Sequence, residues 1–380
     1  MLKLPPLSLY IHIPWCIRKC PYCDFNSHQA GSQLPEQDYI QALLADLDND
    51  LPWVQGREIH SIFFGGGTPS LFSAAAYRVL FNGLRQRLSF APDIEITLEA
   101  NPGTFEADKF AAYRQLGINR LSIGIQSFNP QHLQALGRVH DSAQAMRAVE
   151  MAKQAGFDHF NLDLMYGLPG QTVEQALADI RQALAFNPPH LSWYQLTIEP
   201  NTEFYKTPPR LPQDDDLWDI QEAGLALLAQ QGFEHYEISA HAKPGQAARH
   251  NLNYWQFGDY LGIGAGAHGK ITLPQTGQII RTQKTRLPKD YLHPAKPFLS
   301  SQQPIAADEV GLECLMNALR LKDGMLTAEF IQRTGLTLES VKKPLQKAQQ
   351  LGLLQVDERI IATAKGQQYL NELLALFLAD

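Results

Sequence analysis

The chain has 380 residues, with 32 Lys and Arg against 39 Asp and Glu and a formal net charge of −7. That length holds two or three domains with a full apolar core, and an acidic balance without a long basic run argues against a nucleic-acid partner. Three of the four cysteines are clustered, which excludes a disulfide framework and points to a reducing compartment; no segment resembles a secretory signal or reaches the ~20 apolar residues of a membrane span, so a cytoplasmic protein is expected.

The first element is an alternating apolar run, Leu7-Ser-Leu-Tyr-Ile-His-Ile-Pro14, which reads as a strand. It leads into Cys16-Ile-Arg-Lys-Cys20-Pro-Tyr-Cys23. Three thiols at C-x3-C-x2-C spacing on a strand end suit three irons of a [4Fe–4S] cluster and leave the fourth iron without a protein ligand. A zinc site completed by His12 or His28, or plain reduced thiols, are the alternatives. Helical spacing follows over 36–50, then a strand over 59–64 ending in Gly65-Gly-Gly-Thr-Pro69. This glycine loop lets backbone approach a ligand closely, and it lacks the Gly-Lys-Ser/Thr ending of a Walker A loop. Strands over 94–100, 120–126, 160–165 and 191–198 then alternate with helices over 74–88, 107–116, 131–136, 142–155 and 173–186. Six strands alternating with helices predict a parallel sheet with right-handed crossovers, whose ligands sit at the C-terminal strand ends.

An irregular stretch covers about 199–304, with a helix near 217–231 and a short strand near 235–240. It carries two unusual segments, His250-Asn-Leu-Asn-Tyr-Trp255 and a glycine-rich run from Gly258 to Gly269 that includes His268. Residues 288–304, rich in Pro, Ser and Gln, read as a linker. The remainder reads helix, helix, Gly335, helix, hairpin, helix, an order similar to a winged helix. With eight Lys and Arg against ten Asp and Glu over 308–380, it is expected to make packing or protein contacts rather than bind DNA. Cys314 in this part is expected to be a buried small hydrophobe. The expected division is 1–200, 201–304 and 305–380.

The cysteine triplet after a first strand, with Gly65–Pro69 after the second, resembles the radical S-adenosylmethionine (SAM) superfamily. The resemblance implies an α/β fold, a partial (β/α)6 barrel followed by a mostly helical, winged-helix-like C-terminal domain. It implies a [4Fe–4S] cluster on Cys16, Cys20 and Cys23, with SAM chelating the open iron, and SAM contacts from Tyr10, Tyr22, Gly66, Gly67, Thr68, Glu99, Gln126, Arg138 and Asp163. Their chemistry suits SAM: Glu99 and Asp163 accept from hydroxyls or ammonium, Gln126 does both, and Arg138 pairs with a carboxylate.

Within the superfamily the chain resembles the haem chaperones of the anaerobic coproporphyrinogen III oxidase-like family. Phe25 stands where the oxidases have a further cysteine, Cys16 lies too near Met1 for the oxidase extension, and His250–Trp255 matches the chaperones' H-N-x-x-Y-W motif. That resemblance implies haem as cargo, bound through His250, Tyr254 and Trp255. It further implies delivery to haem-requiring respiratory apoproteins, with a membrane-associated recipient and a place at the inner membrane face as family expectations and a homodimer left open. His268 is the second candidate ligand, and haem affinity is expected to fall on the acid side near the ~6.5 of an ordinary imidazole. An oxygen-independent coproporphyrinogen III oxidase-like enzyme is the alternative function.

Overall fold

A computed structural model describes residues 2–104 and 107–378. Its frame is a twelve-stranded sheet in the order β14-β13-β12-β11-β1-β4-β5-β6-β7-β8-β10-β9. The parallel heart is β1 (Leu7–Ile13), β4 (Ile59–Gly66), β5 (Phe90–Ala100), β6 (Arg120–Gln126), β7 (His159–Tyr166) and β8 (His190–Gln195). Between β1 and β4, the two-residue strands β2 (Trp15–Cys16) and β3 (His28–Gln29) pair with each other and close the neck of the cysteine loop.

The two-residue period of a strand explains the barrel's two faces. Leu7, Leu9, Ile11 and Ile13 enter the main core, where they meet Tyr39, Ile40, Leu43 and Leu47 of helix α1 (Glu36–Asp50). Ser8, Tyr10 and His12 alternate with them onto the opposite, concave face. Helices α2 (Ala74–Arg87), α3 (Ala107–Leu116), α4 (Pro130–Ala135), α5 (Ser142–Gln154) and α6 (Val173–Ala185) supply the crossovers. Capping boxes Asp141/Gln144 and Thr172/Gln175 start α5 and α6 where the sequence leaves each strand-end loop.

Beyond α7 (Glu203–Lys206) and α8 (Asp214–Gln230) the chain returns to the same sheet. Strands β9 (Glu234–His235) and β10 (Ala240–Ala242) add antiparallel to β8. After α9 (Arg249–Trp255), β11 (Asp259–Ile263) pairs parallel with the free edge of β1, and β12 (His268–Leu273), β13 (Gln278–Lys284) and β14 (Leu299–Pro304) continue antiparallel.

Two expectations change here. Residues 288–304 are not a bare linker: they form α10 (Pro288–Tyr291) and the outermost strand β14. Its Ser and Gln residues suit an edge, where one side of the backbone is paired and the side chains meet water. The single helix expected to close the chain is instead two short helices, α14 (Ala364–Gln368) and α15 (Leu370–Ala375), broken at Tyr369.

The C-terminal part is a winged-helix-like unit of α11 (Val310–Ala318), β15 (Met325–Leu326), α12 (Thr327–Thr334), α13 (Lys342–Gln350), β16 (Leu354–Val356) and β17 (Arg359–Ala362). It has its own core, which includes Cys314 and takes in Phe257 and Ile279 from the preceding segment. An Arg281–Glu313 ion pair joins the unit to β13. Among the described residues no helix is long and apolar enough to cross a membrane.

Candidate functional site: two cavities at the C-terminal strand ends

The cysteine loop is pinned at its base. The Ala30 N–H donates to the Cys16 carbonyl at 2.8 Å, and the His28 N–H donates to the Pro14 carbonyl at 2.7 Å. Cys16, Cys20 and Cys23 are free, half-buried and line one cavity of about 280 Å3. Burial raises the Cys16 and Cys23 thiols above their ordinary range, so a bound cluster must draw out the thiolates. Among the described residues no group of three or more His, Cys, Asp or Glu gathers tightly enough for a single metal ion. His12, a candidate fourth zinc ligand, has both ring nitrogens engaged: Nε2 donates to the Asn26 carbonyl at 2.9 Å and Nδ1 accepts from the Tyr10 hydroxyl at 2.9 Å. Burial pushes its pKa down to about 4.

The glycine loop forms the next wall. Gly67 N–H donates to the Ile13 carbonyl at 2.8 Å and Thr68 N–H to the Trp15 carbonyl at 2.7 Å, which clamps the loop onto the end of β1. A Cβ at Gly67 would lie 2.5 Å from the Trp15 carbonyl oxygen, so this approach requires glycine. Tyr22, Gly66, Gly67, Thr68, Glu99, Gln126, Arg138 and Asp163 all line this cavity, whereas Tyr10 faces its neighbour. Arg138 donates to the Gly124 carbonyl at 2.8 Å and lies 3.4 Å from both Cys20 Sγ and the Tyr22 hydroxyl, while its Nε has no partner. Gln126 adopts a left-handed backbone (φ 69°) at a register shift between β6 and β7, and its Oε1 accepts the Tyr194 hydroxyl at 2.7 Å. These features fit a polar ligand that carries a carboxylate.

Sequence reasoning missed Tyr194, Ser122 and Asn161; their inward register on β8, β6 and β7 was the available signal. Ser122 and Asn161 hold Asp163 at 3.0 and 2.8 Å. Asn161 Oδ1 also accepts from His190 Nδ1 (2.7 Å); His190 Nε2 accepts from the Tyr236 hydroxyl (2.8 Å), which accepts from Asn251 Nδ2 of α9 (3.3 Å). A continuous hydrogen-bond chain thus links the cysteine cavity to α9.

Glu99 accepts the Gly66 N–H at 3.2 Å, and burial followed by the nearby Asp163 raises its pKa to about 8. A carboxyl raised above its unfolded value adds stability that is complete below about pH 4.5 and lost as pH rises through about 8. Glu99→Gln should therefore flatten the fall in unfolding free energy between those limits, read by urea titration at several pH values. An unchanged slope would show that Glu99 ionises freely.

A second cavity of about 470 Å3 adjoins the first through Phe25, Gly66 and Glu99 and is walled by Tyr10, Tyr254, Tyr260 and His268. The H-N-x-x-Y-W segment is the helix α9, which divides its residues among different neighbours. Tyr254 faces this cavity, while the Trp255 ring packs 4.9 Å from the Arg320 guanidinium of the C-terminal unit. His250 is 2 % exposed, stacks on Phe63 with centroids 4.7 Å apart, and meets Tyr254 edge-on; its Nε2 has no partner. Burial, then the Arg120 charge, pushes its pKa down to about 3, so the imidazole stays neutral far below the ~6.5 of an ordinary histidine. Opposite, the Gly266 backbone sits so close to Asn26 that a side chain would collide with it.

A parallel α/β barrel with three cysteines beside a glycine loop defines a radical SAM protein, and the Radical SAM superfamily profile matches residues 10–183. The HemN C-terminal domain profile matches residues 305–369. The chain is 54% identical over 381 residues to the heme chaperone HemW of Escherichia coli (strain K12) and 53% identical over 385 residues to that of Haemophilus influenzae, each over 100% of both chains. It belongs to the HemW family of haem chaperones. Among solved structures it is similar to E. coli coproporphyrinogen III oxidase (HemN), a radical SAM enzyme, with a TM-score of 0.83 and 26% identity over 98% of this chain and 90% of that one.

Proposed function

We propose that this chain holds haem in the 470 Å3 cavity, next to a [4Fe–4S] cluster on Cys16, Cys20 and Cys23 and SAM in the smaller cavity, and delivers the haem to haem-requiring respiratory apoproteins. The observation that carries this reading is the junction of the two cavities, with Tyr254 of the H-N-x-x-Y-W helix on the wall of the aromatic one. The cluster and SAM supply one-electron chemistry when bound. The chain's own part is positioning: Arg138 and Gln126 orient the SAM carboxylate and ribose, Glu99 and Asp163 accept its donors, and Phe25 separates the two occupants. Tyr10, Tyr254 and Tyr260 offer aromatic area to a macrocycle, and His250 Nε2 is a buried neutral donor behind Tyr254. His250 itself lines neither cavity and is packed by Phe63, Tyr10 and Tyr254, so ligation of the iron through it calls for a rearrangement of these rings.

His250→Ala should shift the Soret band of the haem complex and lower haem affinity by about tenfold or more, with iron–sulfur content unchanged. Transfer to a haem-requiring apoprotein should fail in the same variant. Identical spectra and affinity would remove His250 from the site. SAM-dependent formation of protoporphyrinogen IX at catalytic turnover would instead establish the oxidase.

A further inference from the structure

A third cavity, about 400 Å3, opens at the opposite, N-terminal end of the parallel strands. Its lining includes Arg120 at the start of β6, Arg114 of α3, His159 at the start of β7 and Arg249 at the start of α9. Arg120 and Gln126 are six residues apart on one strand, so about 20 Å separates this mouth from the cysteine cavity.

Arg120 is 6 % exposed, and among the described residues its guanidinium makes no hydrogen bond and no ion pair. Its charge is nevertheless felt deep in the barrel, at Asp163, His190 and His250. A guanidinium presents five donors in a planar fork and remains charged at any physiological pH. Buried charges in folded proteins are ordinarily paired or hydrogen-bonded, because removing a charge from water without a partner is costly. Asp163 lies within the field of Arg120 but bonds to Ser122 and Asn161, and the two acids of the mouth also have other hydrogen-bond partners. Asp93 pairs with Arg249 at 2.6 Å, and Glu95 accepts the Arg249 and His250 backbone N–H groups at 3.1 Å each. Arg114 uses only Nε, on the Gly156 carbonyl, and His159 uses Nδ1, on Gln246. Donors on the rim and a complete fork on the floor thus remain available.

We propose that this mouth is an oxyanion site, in which Arg120 takes two oxygens of a small carboxylate or phosphate and Arg114 and His159 close over it. The site is independent of the SAM and haem assignments. Inorganic phosphate and propionate, each titrated at constant ionic strength by calorimetry, test it and distinguish the two sources. Saturable binding of either anion to the wild-type chain, weakened by about tenfold or more in Arg120→Gln, is the expected result. The anion should raise the wild-type melting temperature and leave that of Arg120→Gln unmoved. If Arg120→Gln does not fold, the exposed rim variant Arg114→Gln/His159→Gln decides the matter: weaker binding supports the site and unaltered binding overturns it. Absence of saturable binding of both anions to the wild type below ~10 mM, or equal binding by Arg120→Gln, also overturns the proposal and leaves Arg120 a hydrated structural charge.

Discussion

Cys20→Ser is expected to abolish a stable iron–sulfur cluster. Anaerobic reconstitution of the wild-type chain should give about four irons and four sulfides, the content of a [4Fe–4S] centre. The three candidate cysteines share one cavity, and Cys20 Sγ is also the sulfur that Arg138 approaches at 3.4 Å. A serine oxygen there is a harder donor than the thiolate that such clusters prefer. Cys314→Ser supplies the contrast. Cys314 is fully buried in the C-terminal core, with its Sγ 3.7 Å from Met325 Sδ. That substitution should leave iron content unchanged and cost about 1–3 kcal/mol of stability, from a hydroxyl buried without a good partner. Stoichiometric zinc with no cluster on reconstitution, or a full cluster in Cys20→Ser, would defeat the assignment.

Lys284→Met should be among the most destabilising single changes outside the cofactor site. Lys284 lies at the end of β13, its side chain 1% exposed, and Nζ donates to Asp46 at 2.6 Å and to both oxygens of Asp50 at 2.8 Å. Removing the ammonium strands two buried carboxylates, a loss of about 3–5 kcal/mol. Burial first, offset in part by Lys284 and reinforced by the nearby Asp46 charge, already places Asp50 at about 6. A carboxyl raised above its unfolded value adds stability that is lost as pH rises through the folded pKa. Without Lys284 that window moves upward, so the deficit in urea unfolding should be larger at pH 8 than at pH 5. Asp46 also accepts the Tyr291 hydroxyl at 2.6 Å and the Gly264 N–H at 3.2 Å, and thereby holds the glycine-rich segment leading to Gly266 and His268. Haem affinity should fall with stability. A difference below about 1 kcal/mol, flat with pH, would show that the triad is dispensable.

The parts of the fold legible in the sequence were those governed by local periodicity. The apolar alternation of Leu7–Ile13 and the helical spacing of Glu36–Asp50 each lie within a few residues, and each element forms where it was expected. Others escaped. The polar run Leu299–Pro304 carries no strand signal, because an edge strand needs only backbone pairing from β13. The helical form of His250–Trp255 was hidden because Glu95, a distant residue, receives the N–H groups of Arg249 and His250.

The sequence by itself determined the six-fold alternation of strand and helix, the cysteine loop at the end of the first strand and the winged-helix order of the last eighty residues or so. All three depend on neighbours in the chain and on the side-chain periods of helices and strands. Tertiary structure alone decided that Tyr254 faces a cavity while Trp255 meets Arg320, that His250 is enclosed and neutral, and that Asp46, Asp50 and Lys284 share one buried charge cluster. The physical reason is that burial and pairing energies belong to groups brought together from far along the chain. Lys284 lies 238 residues from Asp46, and no local pattern encodes which charge a buried carboxylate will meet.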